Sequence, residues 1–569
     1  MPSRLVIVLS ILVLAACSAT PARHDPPAAT YDVILRGGMV YDGSGLAGRV
    51  ADVGLRGDRI AAIGDLAGQH AAREVDVQGL AVAPGFINVL SWANDSLLAD
   101  GRGLSDLKQG VTLEIFGEGW SYGPYNDALK AEQRAQQSDI RYEIDWNTLG
   151  EYLDRLVARG VSPNVASFVG ATTIRQYVLG NANRAPDAVE LARMQALVRE
   201  AMAEGALGVG SSLIYAPAAY ARTDELVALA AAAAESGGGY ISHLRSEGDR
   251  LLEALDELIG IARATGVHAE VYHLKAAGEA NWPKMAEAIA RIEAARREGL
   301  AVSADMYAYT AAATGLDACL DPAVQEGGRD ALVQRLKKPE IRREVVAAMR
   351  APGHGWENLC QAAGSAERIL LLGFDKPELK PLTGRTLALV ARESGTSPED
   401  TVVDLIIADR SRVDTAFFLM SEDNVKLGLA QPWVSLGSDE GAYAPEGVFL
   451  LRQPHPRAYG NVARFLGRYV REAAVTTLPE AIRRLTSLPA ENWKLEGRGR
   501  LAPGHYADVV VFDPVTIADT ATFERPQQFA VGVREVFVNG VPVIVAGEYT
   551  GLTPGRVVRG PGYRGKAPR

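Results

Sequence analysis

Three cysteines in 569 residues are too few for a disulfide framework, and no Cys-x-x-Cys spacing occurs, which excludes a thiolate zinc site. Cys319 and Cys360 could still form one bridge in an oxidising compartment, a question the sequence leaves open. Runs of Lys or Arg are missing too. The net charge of −10 comes from 69 acidic against 59 basic side chains spread along the chain. A nucleic-acid partner, whose phosphates need clustered cations, is therefore excluded. The acidic excess favours solubility and names no substrate. Histidine is scarce, with eight in all, so each can be weighed singly.

Long apolar runs are confined to the N-terminus. Arg4 precedes one from Leu5 to Ala16, too short to span a bilayer and suited to a secretory signal. It closes on Leu14-Ala15-Ala16-Cys17-Ser18, which resembles a bacterial lipobox. That resemblance implies cleavage before Cys17 and acylation of its thiol; a plain signal peptide is the alternative. Ser18 after the cysteine fits the outer membrane of a Gram-negative bacterium, with residues 18–30 as a tether. The expected location is periplasmic, with membrane contact only through the lipid.

Residues 31–81 and 495–560 share a texture of short alternating strands broken by Gly and Asp-Gly. They predict one composite β-domain built from both chain ends, with two separate β modules as the alternative. Between them, residues 82–494 alternate strand and helix. Strands are expected at 82–90, 111–118, 164–170, 206–213, 239–243, 268–273, 301–307 and 434–439. Eight strands with helices between them predict an α/β fold, a (β/α)8 TIM-like barrel beside a small β-sandwich. A doubly wound sheet is the alternative. Residues 316–431 are too long for one βα unit and are expected to be an insertion with its own helices at 330–337, 339–349 and 398–408.

Reactive side chains of such a barrel gather at the C-terminal strand ends. Reading only those ends brings out Glu118, His243, His273 and Asp439. Two imidazoles and a carboxylate form a metal site of His2Glu type with room for water. Against this, a lone histidine is often a hydrogen-bonded structural residue, and Glu118 and Asp439 could be loop or turn carboxylates. The glycines at 117 and 119 favour the functional reading, because they let backbone approach a ligand. His455 reads as structural or part of a lid. His24, His70, His268, His354 and His505 sit in tether, loop, turn or strand-start contexts.

The chain resembles the amidohydrolase superfamily and, within it, the D-aminoacylase family. The resemblance rests on Val82-Ala-Pro-Gly-Phe-Ile87, Gly205-Ala-Leu-Gly208, His243-x-Arg-x-Glu247, His273-x-Lys275, Asp305-x-Tyr307, Gly437-Ser-Asp439 and His455-Pro-Arg457. It implies zinc, hydrolysis of an amide bearing a free carboxylate, and an aspartate that shuttles the proton. Carried over, His243 and His273 are metal ligands and Asp439 is the general base and acid. Lys275, Tyr215 and Tyr307 hold the substrate carboxylate. The departures are equally specific. The His-x-His expected after the first strand is Leu90-Ser91-Trp92, a bridging cysteine falls at Gly119, and a histidine after strand three is Ala171.

The expectation is thus a hydrolase of carbon–nitrogen bonds other than peptide bonds, acting on an N-acyl (D-)amino acid or related small amide. One zinc per chain is held by Glu118, His243 and His273. Asp439 moves the proton, Lys275, Arg245 and Tyr307 orient a carboxylate, and Trp92 with Leu90 forms an apolar wall. A barrel that binds amino-acid derivatives without turnover, or one that hydrolyses cyclic amides or dipeptides, are the rivals. Oligomeric state is left open.

Overall fold

The computed structural model describes residues 1, 30–353 and 355–565. The signal-like segment with Cys17, and His354, lie outside the described residues. Among those described, no helix is long and apolar enough to cross a membrane.

Strands from both chain ends join in one nine-stranded sheet. Its seam is antiparallel, Ala81–Pro84 against Val509–Phe512, with Val82 opposite Val511. Side chains alternate across it. Val509 and Val511 face a small core with Val33, Leu35 and Val53, while Val510 and Phe512 turn into the large barrel-side core. The stretch 82–90, expected as one barrel strand, is therefore two. Ala81–Pro84 belongs to the composite sheet and Phe86–Asn88 to the barrel. Between them a Cβ on Gly85 would lie 2.1 Å from the Thr112 hydroxyl, so the chain crosses from sheet to barrel where only glycine fits. The C-terminal tail also departs from expectation. Val558 N donates to Val165 O at 2.8 Å, which lays this segment along the barrel.

The barrel strands are Phe86–Asn88, Val111–Phe116, Asn164–Ser167 continued by Val169–Gly170, Gly208–Ser212, Gly239–His243, Ala269–Val271, Val302–Met306 and Val434–Leu436. All pairings are parallel and nearly every residue is buried, as a sheet covered on both faces requires. The ring closes between strands eight and one, where Val89 N donates to Leu436 O and Asp439 N to Leu90 O. Asn88 clamps that closure. Its Nδ2 donates to Ser438 Oγ (2.8 Å) and Glu114 Oε2 (2.9 Å), and its Oδ1 accepts from Ser438 N (2.8 Å).

Beside the clamp, the buried carboxyls of Glu114 and Asp106 interact. Burial first, then the neighbouring charges, raises Asp106, and burial lifts Glu114 from 4.5 to about 7. The folded chain keeps a proton that the unfolded chain gives up above about pH 4.5, so this contribution is full below that pH and is lost as pH climbs towards 7. Glu114→Gln is therefore expected to be more stable than the parent at pH 8, by on the order of 2 kcal/mol. The advantage should be much smaller at pH 5 and absent below about pH 4.5. Thermal unfolding at both pH values checks this; a difference independent of pH would rule out the raised carboxyl.

The insertion starts earlier and ends earlier than 316–431. Ala312–Gly315 pairs with Asp414–Phe417, which also pairs with Ile369–Gly373, a three-stranded sheet that local sequence pattern does not announce. Helices Arg329–Leu336, Pro339–Met349 and Pro398–Asp409 pack on it around a separate core that includes Leu336, Val403 and Phe417. Helix Glu422–Leu429 belongs to the barrel layer, since Val425 and Leu429 enter the large core. Cys319 and Cys360 are joined within the insertion across 41 residues. Closing a loop of that length stabilises by roughly 2–4 kcal/mol.

Candidate metal centre

The ends of strands two, five and six bring Glu118, His243 and His273 together. Their ligand atoms lie within 4.8 Å of one another, and all three residues are buried. Gly117 and Gly119 (φ 109° and 72°) bend the chain so that Glu118 enters the barrel mouth. A Cβ on Gly119 would come within 2.4 Å of Ser212 Cβ, so no side chain can stand at 119 and Glu118 is what the loop presents.

His243 Nδ1 lies 3.1 Å from Leu244 O, which makes Nδ1–H the donor and leaves the Nε2 lone pair free. Burial lowers this histidine to about 4, keeping it neutral, the form that ligates metals. His273 Nε2 lies 3.0 Å from Glu118 Oε1, and its Nδ1 lies 3.0 Å from Glu247 Oε1. Burial and the Lys275 ammonium press His273 down, yet Glu247 and Glu118 outweigh them and carry it up to about 10. Burial alone would raise Glu247, but His243, Lys275 and His273 hold it well below the usual carboxylate range. A buried cluster that draws a proton so strongly has the charge balance to draw a divalent cation, and one carboxylate with two imidazoles is a suitable donor set.

Asp439 ends strand eight beside this cluster. Its Oδ2 lies 2.8 Å from Arg457 Nη2, and its Oδ1 accepts from Trp92 Nε1 at 3.1 Å. The same indole N–H reaches Glu118 Oε2 at 3.0 Å. His273 and Asp439 both have left-handed backbone, φ 37° and 52°, unusual for residues with side chains. Such positions cost about 1–3 kcal/mol each and concentrate at functional sites.

A cavity of about 400 Å³ opens over the cluster. Trp92, Trp120, Tyr215 and Phe449 line it, and the insertion adds Leu359, Leu372 and Arg412. Tyr215 packs its ring edge-on to His243 (5.3 Å) under the Arg412 guanidinium. Tyr307 lines the cavity as expected from the sequence. Three expectations need correction. Arg245 points outside the cavity, because Glu257 on the neighbouring helix binds it through two contacts of 2.9 Å. Leu90 is 1% exposed and belongs to the core, so it forms no wall. Lys275 lines the cavity, yet its Nζ donates to Glu247 Oε1 at 2.6 Å and is not free for a substrate. Glu247 and Arg457 were given no role from the sequence. The i+4 spacing of His243 and Glu247 was the available signal for the first; for Arg457, only its place after the strand-eight loop. His455 is buried against Ala311 O and stays outside the donor set.

The profile of the amidohydrolase family matches residues 73–544. The chain belongs to the amidohydrolase family. As an amidohydrolase it is a hydrolase of carbon–nitrogen bonds other than peptide bonds. D-aminoacylase of Alcaligenes xylosoxydans xylosoxydans is 35% identical over 539 residues, covering 93% of this amidohydrolase and 97% of the relative. A D-aminoacylase structure, solved to define the functional role of its binuclear metal centre, superposes with a TM-score of 0.76 at 34% identity, covering 93% and 100% of the two chains. N-acyl-D-glutamate deacylase of Bordetella bronchiseptica, in complex with zinc and a phosphonate inhibitor, superposes with a TM-score of 0.76 at 31% identity, covering 93% and 99%.

Proposed function

We propose that the chain hydrolyses the amide bond of an N-acyl-D-amino acid, using one zinc held by Glu118, His243 and His273. The observation that carries this is the convergence of those three donors, with Asp439 at their side, at the floor of the cavity. Similarity to D-aminoacylase supports the D configuration, and the zinc in the N-acyl-D-glutamate deacylase complex supports the choice of metal. A zinc bound there supplies Lewis acidity to a carbonyl and brings the acidity of water towards neutrality.

The chain's own residues do the rest. Asp439 takes the proton of the attacking water and hands it to the leaving nitrogen. Arg457 and Trp92 fix its two oxygens, so it is oriented before substrate arrives. Glu247 accepts from His273 Nδ1–H, which turns the Nε2 lone pair inward, while Lys275 anchors Glu247. The substrate carboxylate falls to Arg457 and Tyr307. Both line the cavity, and Arg457 Nε and Nη1 and the Tyr307 hydroxyl are buried donors without a well-formed acceptor among the described residues. The aromatic and leucine walls favour an apolar acyl or side chain. The same reading keeps the protein in the periplasm of a Gram-negative bacterium, held by a lipid on Cys17, as the lipobox-like sequence implies.

Purified chain supplied with one equivalent of zinc tests this. N-acetyl-D-amino acids with apolar side chains are expected to be hydrolysed about 100-fold or more faster than their L enantiomers. Turnover of cyclic amides alone would transfer the assignment to that class. Zinc uptake and ligand binding without any turnover would establish a binding protein instead.

A further inference from the structure

We propose that the indole N–H of Trp92 closes this centre to a second cation, bridging the two carboxylates a second cation would need and leaving the site complete with one. This rests on the one-zinc reading above and goes beyond it, because it assigns the metal count to a side chain.

The geometry is specific. Trp92 Nε1 lies 3.0 Å from Glu118 Oε2 and 3.1 Å from Asp439 Oδ1, so one proton donor at the end of strand one is shared between carboxylates from the two strands that flank it. The other oxygen of each is already committed. Glu118 Oε1 faces His273 Nε2 at 3.0 Å, and Asp439 Oδ2 faces Arg457 Nη2 at 2.8 Å. The two oxygens left over are therefore the two that Trp92 occupies. An indole N–H donates and cannot ligate, and Leu90, sealed in the core, offers nothing. A second cation would find two carboxylate oxygens, no imidazole and a donor proton pointing at it. His273 Nδ1 is turned away to Glu247.

Two consequences follow. The indole holds Asp439 Oδ1 in a chain already strained at φ 52°, so Trp92 is a positioning residue for the proton carrier. The centre should also be indifferent to excess metal. The D-aminoacylase described with a binuclear centre shows one-metal activation and second-metal attenuation; this chain would have the first without the second.

The test is a cobalt titration of metal-free full-length chain, read by visible absorption and by elemental analysis after desalting. The parent is expected to retain one equivalent, with kcat unchanged in excess metal. Trp92→Phe keeps the ring and removes the donor. It should retain one equivalent and a KM near the parent's, while kcat drops on the order of 10-fold. Restoring imidazoles in Leu90→His/Trp92→His should raise retention to two equivalents. Two tight equivalents in the parent, or a Trp92→Phe variant with unchanged kcat, would overturn the role of Trp92 and leave amide hydrolysis standing. No retained metal in the parent would remove the one-zinc reading and this inference with it. The parent titration needs no variant to fold.

Discussion

Asp439→Asn is expected to lower kcat/KM by roughly 10³-fold while metal content stays at the parent level. The substitution keeps size and polarity, and the amide oxygen can still face Arg457 Nη2 or Trp92 Nε1. What it removes is a carboxylate able to accept the water's proton. The loss should fall on kcat, because Asp439 acts on the reacting atoms and the carboxylate of the substrate is held elsewhere. Steady-state kinetics with parallel elemental analysis checks both halves. Activity within about threefold of the parent would show that another group carries the proton. Loss of metal together with activity would make Asp439 a ligand instead.

His243→Ala is expected to abolish tight metal binding and, with it, all but a trace of activity. The three donors form the minimal set, so removing one leaves a carboxylate and one imidazole, too few for a tight site. Its effect should differ from that of Asp439→Asn in one respect. Metal in excess should partly restore turnover in His243→Ala and do nothing for Asp439→Asn. Because His243 is buried and holds its bond to Leu244 O, circular dichroism should accompany the assay to show that the fold persists. A variant that keeps one tight metal and full activity would remove His243 from the centre.

The residues that the strand-end rule could reach were legible in the sequence. His243, His273 and Asp439 end apolar strands, and a parallel barrel presents such positions at one mouth. Glu118 was legible for a related reason, two glycines around a carboxylate after a strand. What those positions do not reveal is the partner each side chain finds. Arg245, two residues after His243, read as a substrate contact, yet Glu257 offers its guanidinium a two-point partner on an outer helix. Lys275 read as a contact to the substrate carboxylate and is bonded to Glu247. Trp92 read as bulk, and its one polar atom carries the more specific contact. The insertion's sheet was hidden because Ala312–Gly315 and Asp414–Phe417 meet across about a hundred residues, without a local pattern to mark the pairing.

By itself the sequence determined the barrel with its composite β-domain, the chemical types available at the mouth, and the absence of a His-x-His pair. Periodicity and residue identity are local properties, and these conclusions need nothing more. Tertiary structure alone decided that the strand Ala81–Pro84 leaves the barrel, that Arg457 and Glu247 enter the site, and that Trp92 spans Glu118 and Asp439. Each depends on where two distant strand ends or a strand and a loop converge. A hydrogen bond is decided over a few tenths of an ångström, a scale at which sequence spacing carries no information.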